Sequence, residues 1–197
     1  ARRPAVDPHR RPEMVGKVSR VILSDGRPRP GHTVSSQRKD IPIMKKKVEQ
    51  ALNEQIHAEF FSFYLYLSVG AYFTTRHLDG FAHWMRVQAQ EEYAHAMKLF
   101  DFVNERGGAV ELMALDAPTH EWGSPAEAVH AVLQHERHIS ERINGLVDLA
   151  TAENDHATTV LLHWYVNEQV EEEATADTLY HQVKMVESSP HGLLMID

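Results

Sequence analysis

Glu59, Glu92, His95, Glu136, Gln169 and Glu172 carry oxygen and nitrogen donors, and each stands where helical periodicity demands an apolar core residue. Over residues 48–72 the apolar stripe Leu52, Ile56, Phe63, Tyr66 and Gly70 advances in steps of three and four, and its missing member is Glu59. In the next segment Phe81, Met85, Gln88, Leu99 and Phe102 keep the spacing of a bundle seam, with Glu92 and His95 filling two consecutive steps. Glu136 lies on the face defined by Val129, Val132, Leu133, Ile143 and Val147. Gln169 and Glu172 fill the gap between Tyr165 and Ala176 in a seam that also holds Leu162, Leu179, Val183 and Val186.

Each interruption falls near the middle of its own segment, so helices of similar length packed side by side bring the six groups together. Burial raises a carboxyl pKa by up to ~3–5 units, and an unpaired buried charge costs several kcal/mol. No Lys or Arg occupies the facing seam positions near mid-helix, so a salt-bridged core lacks partners. Two divalent cations would neutralise four carboxylates. Glu92 and His95, three residues apart, project from one face and suit one cation, and Glu92 can bridge to a second. Glu59 completes the first site, while Glu136 and Glu172 supply the other. Carboxylate-rich ligation with one imidazole favours iron or manganese over copper, with zinc as a competitor.

The elements that must position these groups are four helical segments, expected at 44–74, 79–107, 125–153 and 156–187. Gly107 and Gly108 stop the second, and Ser124, Pro125 and Glu127 give the third an N-cap, a first-turn proline and a capping-box acid. Asn154 and Asp155 punctuate the last junction. A helix of ~28 residues is ~42 Å long, and the connection over 108–124 can run that distance at ~3.3 Å per residue. With short links elsewhere, the second and third helices become parallel. The fold class is therefore all-α, a four-helix bundle with one long crossover.

A chain of 197 residues, 43% hydrophobic and 24% charged, can bury a real core. No cysteine is present, which excludes a disulfide framework, a thiolate zinc site and an iron–sulfur cluster within the chain. Of the 14 histidines only His95 is placed for ligation; His130, His135 and His138 are expected on solvated helix faces. Residues 1–43 carry ten Lys or Arg against four acids and six of the nine prolines, and read as a basic, flexible extension. It lacks aromatic residues for base stacking, so nucleic-acid binding is disfavoured. A leader or targeting segment is the other reading of it, and Met44 followed by three lysines resembles a start region. The bundle, 44–187, carries the acidic balance, and 188–197 is a stub. Without a membrane span or secretory signal, the expected location is cytoplasmic.

Asn53-Glu54-Gln55 leading to Glu59, Gln90-Glu91-Glu92-Tyr93-Ala94-His95, His135-Glu136, and Trp164 to Gln169 followed by Glu171-Glu172-Glu173 resemble the ferroxidase segments of the heme-free bacterial ferritins. The resemblance covers residues 44–197. It implies a first iron site of Glu59, Glu92 and His95, a second of Glu92, Glu136 and Glu172, and Gln169 adjacent. It further implies a third, weaker iron site at Glu91, Glu168, Glu171 and Glu172, with a tyrosine beside the centre at Tyr66 and a family tryptophan at Trp164. The implied function is oxidation of Fe(II) by oxygen or hydrogen peroxide and storage of ferric mineral in a hollow homo-oligomer of 24 subunits, with no heme.

Two other readings differ in kind. A dinuclear oxidase or peroxidase acting on a small substrate would need a pocket and an electron donor. A DNA-protecting mini-ferritin is favoured only by the basic extension, and those proteins build their sites between subunits. Glu172-Glu173-Ala174-Thr175 departs from the second Glu-x-x-His of bacterioferritin and rubrerythrin relatives, so the site is of the asymmetric ferritin type, and Met85 is assigned to the core rather than to heme. A fifth helix is expected to be short or missing, since the sequence ends soon after Gly192-Leu193-Leu194-Met195-Ile196.

Overall fold

The computed structural model describes residues 44–197; the extension read from residues 1–43 lies outside them. Four long helices and one short one follow in order: α1 (Lys46–Thr74), α2 (Asp79–Glu105), α3 (Pro125–Ala152), α4 (His156–Val186) and α5 (Pro190–Ile196). The first four lie within two residues of the boundaries expected from periodicity. No described helix is long and apolar enough to cross a membrane.

Local chemistry explains the ends. Ser124 accepts from Glu127 N and Pro125 opens α3; Asp155 accepts from Thr158 N at the start of α4. Gly107, just past α2, has φ of 71°, a left-handed conformation that costs glycine little. Asn154 after α3 lies in the same region, and so does His77 after α1, a position with no glycine or asparagine to announce it. Ser189 and Pro190 start α5 by the same cap-and-proline device as α3, so the fifth helix is present but only seven residues long. Leu78 gives α2 no side-chain cap, and Asp197 Oδ1 instead accepts from Phe81 N at 2.8 Å.

The path of the long connection fixes the topology. Ala109 O accepts from Asn53, Ala114 O bonds His57, Thr119 O accepts from Ser68, and Trp122 packs edge-on to Tyr72. The segment therefore runs along α1 from its N-terminal to its C-terminal half. Because it begins at the end of α2 and delivers the chain to the start of α3, these two helices are parallel. Laterally, α1 pairs with α2, α3 with α4, and α1 rests against α3.

The core falls into two apolar clusters. One joins Val48, Leu52 and Ile56 to Leu99, Val103, Ile139, Ile143, Leu162 and Tyr165. The other joins Tyr66, Val69 and Phe73 to Phe81, Met85, Val129, Leu133, Ala176 and Val183. Met85 is fully enclosed, as its assignment to the core required. In α1 the seam shifts by one residue from its sequence reading: Ser62 is fully buried and Phe63 only half-buried, at the flank. A stripe drawn through hydrophobic residues picks the phenylalanine, but the serine fits the narrower space facing α3.

Candidate metal centre

Between the two clusters lies a polar layer contributed by four helices. Glu59 of α1, Glu92 and His95 of α2, Glu136 of α3 and Gln169 of α4 are all buried, and Glu172 of α4 is half-buried. Glu59, Glu92 and His95 each offer one ligand atom, and those atoms lie within 4.8 Å of one another, the one such cluster among the described residues. His95 Nδ1 is 3.5 Å from Glu92 Oε2. The groups across the bundle do not join that cluster, but they belong to the same electrostatic unit: the charge of Glu59 raises Glu136, and that of Glu136 raises Glu172.

Burial is the main cause of the perturbed acidities. It pushes Glu92 and Glu172 up to about 8 and Glu136 up to about 7. Glu59 rises well above the ordinary carboxylate range, through desolvation first and the charge of Glu92 second. A layer of this kind holds protons at neutral pH unless cations replace them.

Glutamine amides fix the two terminal carboxylates. Gln55 Nε2 donates to Glu59 Oε1 at 2.9 Å, and Gln169 Nε2 donates to Glu136 Oε2 at 3.0 Å. The other oxygens, Glu59 Oε2 and Glu136 Oε1, are buried without a hydrogen-bond partner. Two enclosed acceptors without a donor, in a layer with further carboxylates and one imidazole, suit hard divalent cations. Tyr165 OH donates to the His95 carbonyl at 2.7 Å, and the rings of Trp164 and Tyr165 stand edge-on to the imidazole at 5.3 and 6.0 Å. Burial and the charges of Glu59 and Glu92 push the Tyr165 hydroxyl up, so it remains a donor.

The remaining residues singled out from sequence are placed less centrally. Tyr66 is buried beside the layer, edge-on to His135, and its hydroxyl has no partner. Glu91 is exposed and accepts from Gln88, Glu168 is half-buried, and Glu171 is exposed at the edge of a cavity of about 510 Å³. Glu91 and Glu168 both act on Glu172 through their charge.

His135 is not on a solvated face. It lies against Phe61 and Tyr66, its Nε2 is 2.7 Å from Ser62 Oγ, and burial lowers it to about 4. The buried Ser62 opposite is what makes room for it. Gln55 and Arg142 were also missed by the seam argument, although the step of four from Gln55 to Glu59 on one helix carried the signal for the first.

The fold and this layer define a four-helix-bundle protein with a candidate metal centre. The ferritin-like domain model matches residues 49–186, and the chain belongs to the ferritin family, with the bacterial non-heme ferritins. It is 43% identical over 155 residues to the bacterial non-heme ferritin of Bacteroides fragilis, covering 79% of this chain and 96% of that one. A probable bacterial non-heme ferritin-like protein of Haemophilus influenzae is 34% identical over 79% of this chain and 94% of its own. Among solved structures, an open-pore ferritin of the hyperthermophilic archaeon Archaeoglobus fulgidus superposes with a TM-score of 0.77 at 48% identity, over 78% of this chain and 94% of that chain.

Proposed function

We propose that this protein stores and detoxifies iron, oxidising Fe(II) at the polar layer and holding the ferric product inside a homo-oligomeric shell. The observation that carries the reading is the buried group of Glu59, Glu92 and His95, whose ligand atoms lie within 4.8 Å of one another, in one layer with the enclosed, partnerless oxygens Glu59 Oε2 and Glu136 Oε1. Family membership supports it.

On this reading Glu59, Glu92 and His95 bind one Fe(II), and Glu92, Glu136 and Glu172 bind the other. Gln169, adjacent to the second iron, orients Glu136 through its amide nitrogen. Two Fe(II) surrender one electron each, which with two protons reduces O2 to H2O2, or H2O2 to two waters. Cation binding displaces the protons held by the raised carboxyls. Tyr66 stands beside the pair, and Trp164 packs against the imidazole. Glu91, Glu168 and Glu171 lead from the half-buried Glu172 toward the surface and form a hand-off path or third iron site. Leu112, Met113, Leu194 and Met195 are exposed apolar residues on the isolated chain, which supports burial against further copies.

Stopped-flow oxidation of anaerobically prepared Fe(II) tests the chemistry. The fast phase is expected to saturate at two irons per subunit, and Glu92→Ala, which removes the bridge, should slow it by about 100-fold or more. A fast phase unchanged in the variant would refute the assignment. Size-exclusion of the loaded protein tests storage: a large particle carrying far more than two irons per subunit is expected. A small oligomer stopping at two irons would favour a dinuclear enzyme instead.

A further inference from the structure

The first cation site has a support that reaches across the bundle to α3. Arg142 Nε donates to Gln55 Oε1 at 3.0 Å, and Arg142 Nη2 donates to the Glu54 carbonyl at 2.9 Å. Gln55 then donates its amide nitrogen to Glu59 Oε1 at 2.9 Å. A guanidinium only donates, so the Gln55 oxygen must face Arg142 and its NH2 must face Glu59; the arginine removes the ambiguity of the amide. Gln55 is fully buried, so its orientation is enforced in a medium where an unmatched donor would be costly.

We infer that Arg142 and Gln55 are positioning residues that make Glu59 a one-oxygen ligand. Oε1 is committed to the amide, and the enclosed Oε2, which receives no donor, is the oxygen left for a cation shared with Glu92 and His95. Gln169 does the same for Glu136 from within the layer, its Nε2 also reaching the Glu136 carbonyl and Ser140 Oγ on α3, whereas Gln55 has its oxygen held by an arginine from another helix. The Arg142 contact with the Glu54 carbonyl ties the relay to the α1 backbone, so the side chain cannot turn without losing two bonds. Without the relay, Glu59 is free to rotate, to chelate through both oxygens or to swing from the layer. The inference rests on the reading of the layer as a two-cation centre.

Co(II) is a suitable probe because its visible absorption reports coordination number. In the purified full-length protein, two Co(II) per subunit are expected. Gln55→Leu and Arg142→Met should each weaken the tighter-coupled Glu59 site by about 10- to 100-fold, in the range of lost supporting contacts to metal ligands. Both should change its absorption band and leave the other site's affinity within about twofold. Arg142→Lys, which keeps a donor at that end, should recover most of the affinity. Helical circular dichroism and a thermal melt of each metal-free variant establish folding; if Gln55→Leu does not fold, Arg142→Met, at a half-buried position, decides. Folded variants with wild-type Co(II) affinity and an unchanged spectrum would overturn the relay alone. Wild-type protein whose Co(II) binding is insensitive to Glu59→Ala would overturn both the relay and the two-cation reading beneath it.

Discussion

The bundle's two apolar clusters and the polar layer between them are built from the same four helices, yet they do opposite things to the folded state. The clusters bury Leu52, Ile56, Leu99 and Leu162 on one side and Val69, Phe73, Met85 and Leu133 on the other, and they drive folding. The layer gathers three buried carboxyls and the half-buried Glu172, all with pKa values pushed up, so it opposes folding whenever they ionise. The stability of the ends is what allows the middle to be poised for cations. The glutamine contacts show how the layer is kept ordered, because each terminal carboxylate has one oxygen held and one left open.

The contrast breaks most visibly under truncation. Leu52→Ala, at a fully buried position, should cost about 2–5 kcal/mol in chemical denaturation of the metal-free protein, by lost transfer energy plus a cavity. An equally large change in the layer should act with the opposite sign. Glu92→Leu removes a buried acid without orphaning either glutamine and should stabilise the metal-free protein at pH 8 by roughly 1–4 kcal/mol, while abolishing the cation pair. A destabilised Glu92→Leu protein would show that the layer supports the fold in its own right.

Acidity sharpens the same comparison. Glu92 and Glu172 at about 8 and Glu136 at about 7 hold protons in the folded chain that the unfolded chain has released above its ordinary carboxyl value of 4.5. The folded state then binds more protons, so stability falls as pH rises through these folded values. His135, lowered from 6.5 to about 4, acts in the other direction, its contribution being lost as pH falls below 6.5. From about pH 6.5 to about 8.5 the carboxyls alone should govern, and the melting temperature of the metal-free protein should decline. With Zn(II) bound the decline should flatten, because cations take the place of the protons. A rising curve without metal would contradict this.

The smallest effect belongs to neither region. Asp155 caps α4 and bonds Arg106 Nη1 at 2.9 Å, at the turn between α3 and α4. Asp155→Ala should cost about 1–2 kcal/mol, equally with and without bound cation. A loss confined to one of the two states would mean that the turn and the layer are coupled.

Much of this contrast was legible in the sequence. A polar residue in the seam at mid-helix is visible wherever the apolar steps on both sides are regular, and Glu59, Glu92, His95, Glu136 and Gln169 are indeed buried there, while Glu172 is half-buried. The crossover followed from loop length, because only a segment long enough to run the bundle leaves α2 and α3 parallel. The turn residues Ser124 and Asp155 announced the helix starts. What stayed hidden depends on partners distant in sequence. Periodicity cannot tell that Ser62 and His135 fill one space, since each looks ordinary alone. The Arg142–Gln55 contact spans 87 positions, and Gln55 sits beside the seam rather than on it. The seven residues of α5 are too few for a period, and only the pairing of Ser189 with Pro190 marks them.

Crystals soaked anaerobically with Fe(II) and measured at the iron absorption edge would test the central claim most directly. The account predicts two anomalous peaks per subunit, about 3.5–4 Å apart, in the layer between the apolar clusters. One should be held by Glu59, Glu92 and His95, and the other by Glu92, Glu136 and Glu172. A layer without iron, or iron bound only at the exposed acids Glu91 and Glu171, would contradict it.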